Sequence, residues 1–168
     1  MSEFQIMKPE DWNQNVFQTI GKDWLLITAK KGNQVNTMTA SWGGMGILWG
    51  KPVVYIFIRP QRYTREFVES ADSFSISILG EEHRKTLSYF GTVSGRDEEK
   101  IGKSGLALTE EQIVPYFADA RAYLICRKLY VQNLEPACFI DASCDEKWYP
   151  QKDYHTMYIA EIIRLGVR

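Results

Sequence analysis

The chain has 168 residues, 45% of them hydrophobic and 24% charged, with a formal net charge of −1. Those proportions suit one globular domain with its own packed core over residues 1–168. So small a net charge excludes a global basic field for nucleic acid or an anionic membrane, and no apolar run approaches a membrane span or a signal peptide.

At the N-terminal end, residues 11–20 (DWNQNVFQTI) set Trp12, Val16 and Ile20 at helical spacing behind Asp11, which predicts a short helix. Residues 24–30 form a continuous apolar run of strand length. Gly32 and Asn33 supply turn chemistry, and residues 35–42 (VNTMTASW) are rich in β-branched side chains, so the two runs read as a hairpin. The glycine-rich stretch 43–51 (GGMGILWGK) reads as a loop. Residues 52–58 (PVVYIFI) are the clearest buried strand of the chain.

Residues 62–71 carry a helical pattern, and residues 73–79 (SFSISIL) alternate serine with apolar groups at the period of a half-buried strand. Residues 82–90 read as helical, and 94–104 as a charged loop with a single helical turn at 96–100. Residues 120–134 alternate as a long antiparallel strand does, and 155–167 form a last strand. Six strands without regular helical crossovers argue against a doubly wound sheet and for an antiparallel barrel with added short helices.

The three cysteines, Cys126, Cys138 and Cys144, have no CxxC spacing and read as reduced thiols of a cytoplasmic protein. Two histidines and these scattered thiols are too few for a zinc site, so no metal is expected. There is no GxSxG elbow, no P-loop, no HExxH and no GxGxxG behind a strand. His83, in EEHRK, reads as a solvated helix residue. A chain this poor in acid–base machinery either binds something or lends its site to a cofactor that carries the chemistry. Aromatic residues reach 13%, which suits a core, a dimer interface or a flat aromatic ligand.

Three segments resemble a binding site. Asn36, Thr37, Met38, Thr39, Ala40, Ser41 and Trp42 combine small hydroxylated residues with extended backbone, open to a planar ligand or simply to a threonine-rich strand. Arg59, Arg62, Tyr63 and Thr64 stand where a buried strand meets a helix, which is a phosphate cradle or a solvated strand end. Ser94, Gly95, Arg96 and Lys100 form the third. Arg96 and Lys100 share a face if residues 96–100 make a helical turn, with either an anion or the neighbouring Glu98 and Glu99 between them.

NTMTASW, the PVVYIFIRP strand, RYTREFVE, SGRDEEK and DYHTMYIAEI occur in one order that resembles the flavin reductase-like family of FMN-binding split barrels, which includes the flavoredoxins. The resemblance runs from about Trp24 to the C-terminus. It implies a mainly β, six-stranded antiparallel Greek-key split barrel with short helices, paired as a homodimer with FMN near the subunit boundary. By that likeness Asn36, Met38, Thr39, Ala40, Ser41 and Trp42 line the isoalloxazine ring. Arg59, Arg62, Tyr63 and Thr64 would hold the phosphate, and Ser94, Gly95, Arg96 and Lys100 would approach the flavin or its phosphate. His155 matches a histidine near the reactive side of the ring, where an imidazole titrating near neutrality stabilises the reduced ring or orients a nicotinamide. The plainer alternative is a histidine finishing a strand, bonded to Asp153 or to backbone. Trp49 is expected to cover or line the pocket. The implied activity is reduction of FMN by NADH or NADPH with electrons passed to an acceptor. The implied alternative is a flavoredoxin-type carrier serving a redox partner protein.

Overall fold

The computed structural model describes residues 3–168. A short strand β1 (Gln5–Met7) opens the chain. The helix expected over 11–20 does not open at Asp11; it starts at Val16. A 3-10 turn, Pro9–Asp11, is followed by α1 (Val16–Gln18) and one π turn, Thr19–Asp23. The cap is Asn15, whose side chain accepts a hydrogen bond from the Gln18 N–H at 3.2 Å. The apolar stripe was nonetheless legible, since Ile20 is buried in the core and Trp12 and Val16 pack against it.

The β2 (Leu25–Lys31) and β3 (Gln34–Ala40) hairpin turns at Gly32, which sits at φ +59. The glycine-rich segment is a strand, β4 (Gly43–Leu48), paired with β5 (Lys51–Ile58). Trp49 and Gly50, at φ 52 and 69, make the two-residue turn between them, as a tight hairpin requires. Glycine at 43 is a steric need, because a Cβ there would lie 2.5 Å from the Tyr55 carbonyl oxygen. The signals that read as loop are thus those of a strand pressed close to its neighbour.

Helix α2 (Thr64–Ser70) leads into β6 (Ser73–Ile78), and α3 (Arg84–Thr92) and α4 (Lys100–Ser104) follow. A second hairpin, β7 (Leu108–Glu111) and β8 (Val114–Phe117), precedes the long β9 (Ala122–Asn133). Helix α5 (Ala142–Trp148) lies in the excursion before the last strand, β10 (Thr156–Val167). The six strands read from sequence are β2, β3, β5, β6, β9 and β10, and β1 and β4 extend their sheet.

The sheet runs β3-β2-β6-β9-β10-β5-β4, every pair antiparallel, with β1 added on β10. Its two end strands are joined directly by Ser41 and Trp42. Three peptide steps reach at most about 11 Å, so the sheet has to curl until its ends meet. They meet without pairing, and this is the split of the barrel. Ile27, Met38, Ile56, Phe74 and Leu124 fill the interior.

β6 departs from the half-buried strand expected of its alternation, because its serine face is also covered. Ser75 Oγ donates to the Pro115 carbonyl at 2.6 Å, and Ser77 Oγ accepts from the Phe117 N–H at 3.1 Å. The β7–β8 hairpin shields the hydroxyls from water and satisfies them. Among the described residues no helix is long and apolar enough to cross a membrane.

Candidate functional site

A cleft of about 240 Å³ opens where β3 ends. Its floor is the end of β3, Met38 to Ala40, continued by Ser41 and Trp42. Its walls include Phe57, Arg59, Arg62, Trp148 and His155. Trp42 meets Trp148 edge to face, with ring centroids 4.9 Å apart, and lies 5.3 Å from the His155 ring. Flat apolar groups around exposed strand backbone suit a planar ring with polar edges.

A second recess of about 180 Å³ adjoins the first at Arg62, which lines both. Asn36, Tyr63, Thr64, Ser94, Gly95 and Lys100 are among its other lining groups. Asn36 Nδ2 donates to Thr64 Oγ1 at 2.8 Å, which leaves the threonine proton free for another acceptor. Gly95 fits because a Cβ there would lie 2.2 Å from Asn36 Oδ1.

The electrostatics of this recess are one-sided. Lys100 is 3% exposed, and its ammonium donates to the carbonyls of Phe90 (3.2 Å) and Val93 (2.9 Å). Burial and then the charge of Arg62 lower its pKa to about 8. Burial also lowers the pKa of Arg62, which donates to the carbonyls of Gly91 and Phe90. The recess has no carboxylate in its lining. Two crowded cations with only carbonyls for company favour an anion between them.

The sequence reading needs correcting on the third segment. α4 starts at Lys100, where the Glu99 side chain caps the Gly102 N–H, so residues 96–100 are not one helical turn. Arg96 therefore does not share a face with Lys100. It pairs with Glu66 at 2.5 Å, holding that carboxyl below its usual pKa, and lies over the Tyr63 ring at 4.6 Å. Neither Glu98 nor Glu99 is its partner, since Glu98 instead takes Lys103.

Arg59 also moves from its expected place. It lines the aromatic cleft rather than the cationic recess, and donates to Asp153 Oδ2 (2.5 Å) and to the Trp148 carbonyl (2.8 Å). It thereby ties the end of β5 to α5. Asp153 Oδ2 also accepts from Gln61 at 2.8 Å, and these two donors lower its pKa.

His155 is 7% exposed and is bonded through Nδ1 to the Tyr149 hydroxyl at 2.7 Å. Its partner is thus neither Asp153 nor backbone. Burial, and then the positive charge of Arg59, push its pKa down to about 4. The imidazole near neutrality that the sequence suggested is replaced by a neutral one. Trp49 lies away from both cavities, 58% exposed, with its ring 6.2 Å from Tyr130.

Phe57, Trp148 and Tyr149 escaped the sequence reading. Phe57 was hidden inside a buried strand pattern. Trp148 and Tyr149 arrive through α5, whose start, an Asp141 side chain accepting from the Ser143 N–H, was the available signal.

Residues 17–168 match the family model described as flavin reductase like domain. Among solved structures, an FMN-binding domain of a flavin reductases-like enzyme from Shewanella baltica is similar in fold. It has a TM-score of 0.72 and 19% identity over 99% of this chain and 79% of that one. The flavoredoxin of Methanosarcina acetivorans gives a TM-score of 0.69 and 21% identity, over 96% of this chain and 76% of that one. A high molecular weight rubredoxin of Moorella thermoacetica is 36% identical over 101 residues, 59% of this chain. That stretch is 43% of the Moorella protein, so this chain matches less than half of its length.

Proposed function

The chain belongs to the flavin reductase-like family, and from that membership we propose that it binds FMN across the two cavities that share Arg62 and uses it to move electrons from NADH or NADPH to an acceptor. The observation that carries this reading is a pair of cations, the half-buried Arg62 and the buried Lys100, facing a recess without a carboxylate. The phosphate of FMN carries close to two negative charges and would be held there, with the Thr64 hydroxyl as a further donor. Met38–Trp42, Trp148 and His155 would hold the ring.

FMN held there would supply the redox chemistry, two-electron hydride uptake and electron release. The protein's part is to hold and orient. Trp42 and Trp148 would offer apolar surface to the ring, and Arg59 anchors the wall that carries Trp148. The buried neutral His155 offers an N–H or a lone pair at the cleft wall without adding charge. We place the protein in the cytoplasm, where its free thiols would remain reduced.

A second reading is a carrier in which FMN stays bound and electrons pass between partner proteins. It is favoured by the likeness to a flavoredoxin and to part of a rubredoxin-named protein. NADH and NADPH oxidation by the purified protein with added FMN decides between the two. Turnover with either nucleotide supports the reductase. Bound FMN that neither nucleotide reduces supports the carrier.

A further inference from the structure

We propose that Tyr149 is a positioning residue that holds His155 in a single tautomer, with its proton on Nε2 and directed into the aromatic cleft. The inference rests on the proposed flavin site only for its consequence. The geometry stands on the protein's own atoms.

Tyr149 is 5% exposed, and its one hydrogen-bonded side-chain partner is His155 Nδ1, at 2.7 Å. Burial raises the pKa of the phenol, so it keeps its proton at any physiological pH. A buried hydroxyl that accepted from Nδ1–H would strand that proton with no acceptor. Donating it to Nδ1 satisfies both groups.

A neutral imidazole carries one ring proton, so an Nδ1 that accepts leaves that proton on Nε2. The neutral state is secured by the surroundings. Burial disfavours the imidazolium most, Arg59 at the end of β5 adds to this, and Asp153, whose Oδ2 accepts from Arg59 and Gln61, opposes it less strongly. Arg62 faces the same cleft and adds positive charge there. Among the described residues Nε2 has no hydrogen-bond partner, and it is not sealed from solvent. It therefore looks into the cleft that His155 lines.

The contacts of Tyr149 suit a fixed support. Its ring packs edge-on against His155 at 5.6 Å, lies 4.9 Å from Tyr154, and receives the Arg59 guanidinium at 5.2 Å. A permanent uncharged donor selects, at this wall of the cleft, a ligand with a neutral acceptor such as a carbonyl or an amide oxygen. It gives no ion pair to a carboxylate.

The chain has only two histidines, so nitrogen-15 spectra of histidine-labelled, FMN-saturated protein resolve each ring, with His83 as internal reference. The expected spectrum shows His155 as the Nε2–H tautomer, unchanged from pH 8 to pH 5.5. Tyr149→Phe, which keeps the ring and removes the hydroxyl, is expected to bring in the Nδ1–H tautomer. The same variant is expected to slow flavin reduction roughly 3- to 10-fold with unchanged FMN affinity. An Nδ1–H tautomer in the parent, or an unaltered tautomer in Tyr149→Phe, overturns the proposal. Fluorescence titration with FMN on the same samples tests the flavin reading separately: no binding with an Nε2–H His155 removes that reading and leaves this one standing.

Discussion

Arg62 and Lys100 donate to the same atom, the carbonyl oxygen of Phe90, at 3.4 and 3.2 Å. A shared acceptor brings two like charges together at the end of α3, where helical carbonyls carry the partial negative charge that tolerates them. It also leaves the pair short of a full counter-charge. FMN should therefore bind more tightly than riboflavin, and Arg62→Gln or Lys100→Met should remove most of the difference. Each charge-assisted contact is worth roughly 1.5–3 kcal/mol, or about 10- to 150-fold in affinity. Fluorescence quenching by both flavins measures this, and equal affinities in the parent protein would sink the phosphate assignment.

The same lysine predicts a pH signature. Its folded pKa of about 8 lies below the ordinary 10.5, so between those values the unfolded chain binds more protons and flavin-free protein gains stability as pH rises. A bound dianion favours the charged form. The preference for FMN over riboflavin should consequently shrink as pH rises above 8, and should become flat in Lys100→Met. Paired titrations at pH 7 and pH 9.5 test both statements; a preference that grows with pH contradicts the charge assignment.

How much of this was legible in the sequence depended on what each segment packs against. The strands at β2, β3, β5, β9 and β10 announce themselves because their branched side chains meet a core on one face or both. β4 does not, since Gly43, Gly44 and Gly46 lack the side chains that carry a strand signal. The fact that demands glycine at 43, the Tyr55 carbonyl across the pair, is a tertiary one. Likewise Arg96 and Lys100 are four apart in sequence, but the Glu99 cap starts the helix between them and sends them to different partners. The residue types of the site could be picked out along the chain. The division of labour among the arginines could not, because Asp153, Trp148 and Glu66 are remote in sequence from the residues they bind.

His155 should matter for rate and little for affinity. Replacing it by alanine is expected to slow reduction of bound flavin by about 10- to 100-fold, roughly 1.4–2.7 kcal/mol, with FMN binding nearly unchanged. Its folded pKa of about 4 lies below the ordinary 6.5, so it contributes stability above 6.5 that is lost as pH falls toward 4. No break in the reduction rate near pH 6.5 should arise from it. Anaerobic stopped-flow absorbance from pH 5.5 to 8 reads the rate directly. A break near 6.5 that disappears in His155→Ala would show a charged imidazole at work.

Gly43→Ala tests the closure of the barrel. The new methyl would sit 2.5 Å from the Tyr55 carbonyl oxygen, and the backbone at φ +154 suits glycine. Overpacking and backbone strain each cost about 1–3 kcal/mol, so the melting temperature should fall by at least about 4 °C. Trp42 adjoins the substituted residue, so flavin affinity should fall with it. A variant with parental melting temperature and affinity would mean that the β4–β5 pair relaxes freely.

The outer face of the sheet predicts a homodimer. Ile47 and Trp49 stand two residues apart at the β4–β5 turn, 63% and 58% exposed. Trp49 lies against Tyr130 of β9, and Ile163 of β10 is 44% exposed. Glu161 pairs with both Lys51 and Arg127, so its carboxylate is already satisfied within one protomer. Large exposed apolar side chains on one protomer, a tryptophan among them, are the makings of an interface core, where aromatics dominate the energy. The family likeness leads to the same expectation of a paired assembly with its flavin near the boundary. Light scattering should report about twice the 19.4 kDa of one chain, and Trp49→Glu should shift the mass toward the monomer by replacing the largest apolar group of the face with a charge that pairing would have to desolvate. Circular dichroism of the variant guards against a folding defect, since Trp49 contributes little to the core. A parent protein of 19.4 kDa with FMN bound, or a Trp49→Glu protein that remains dimeric, would assign this surface to something other than a second copy of the chain.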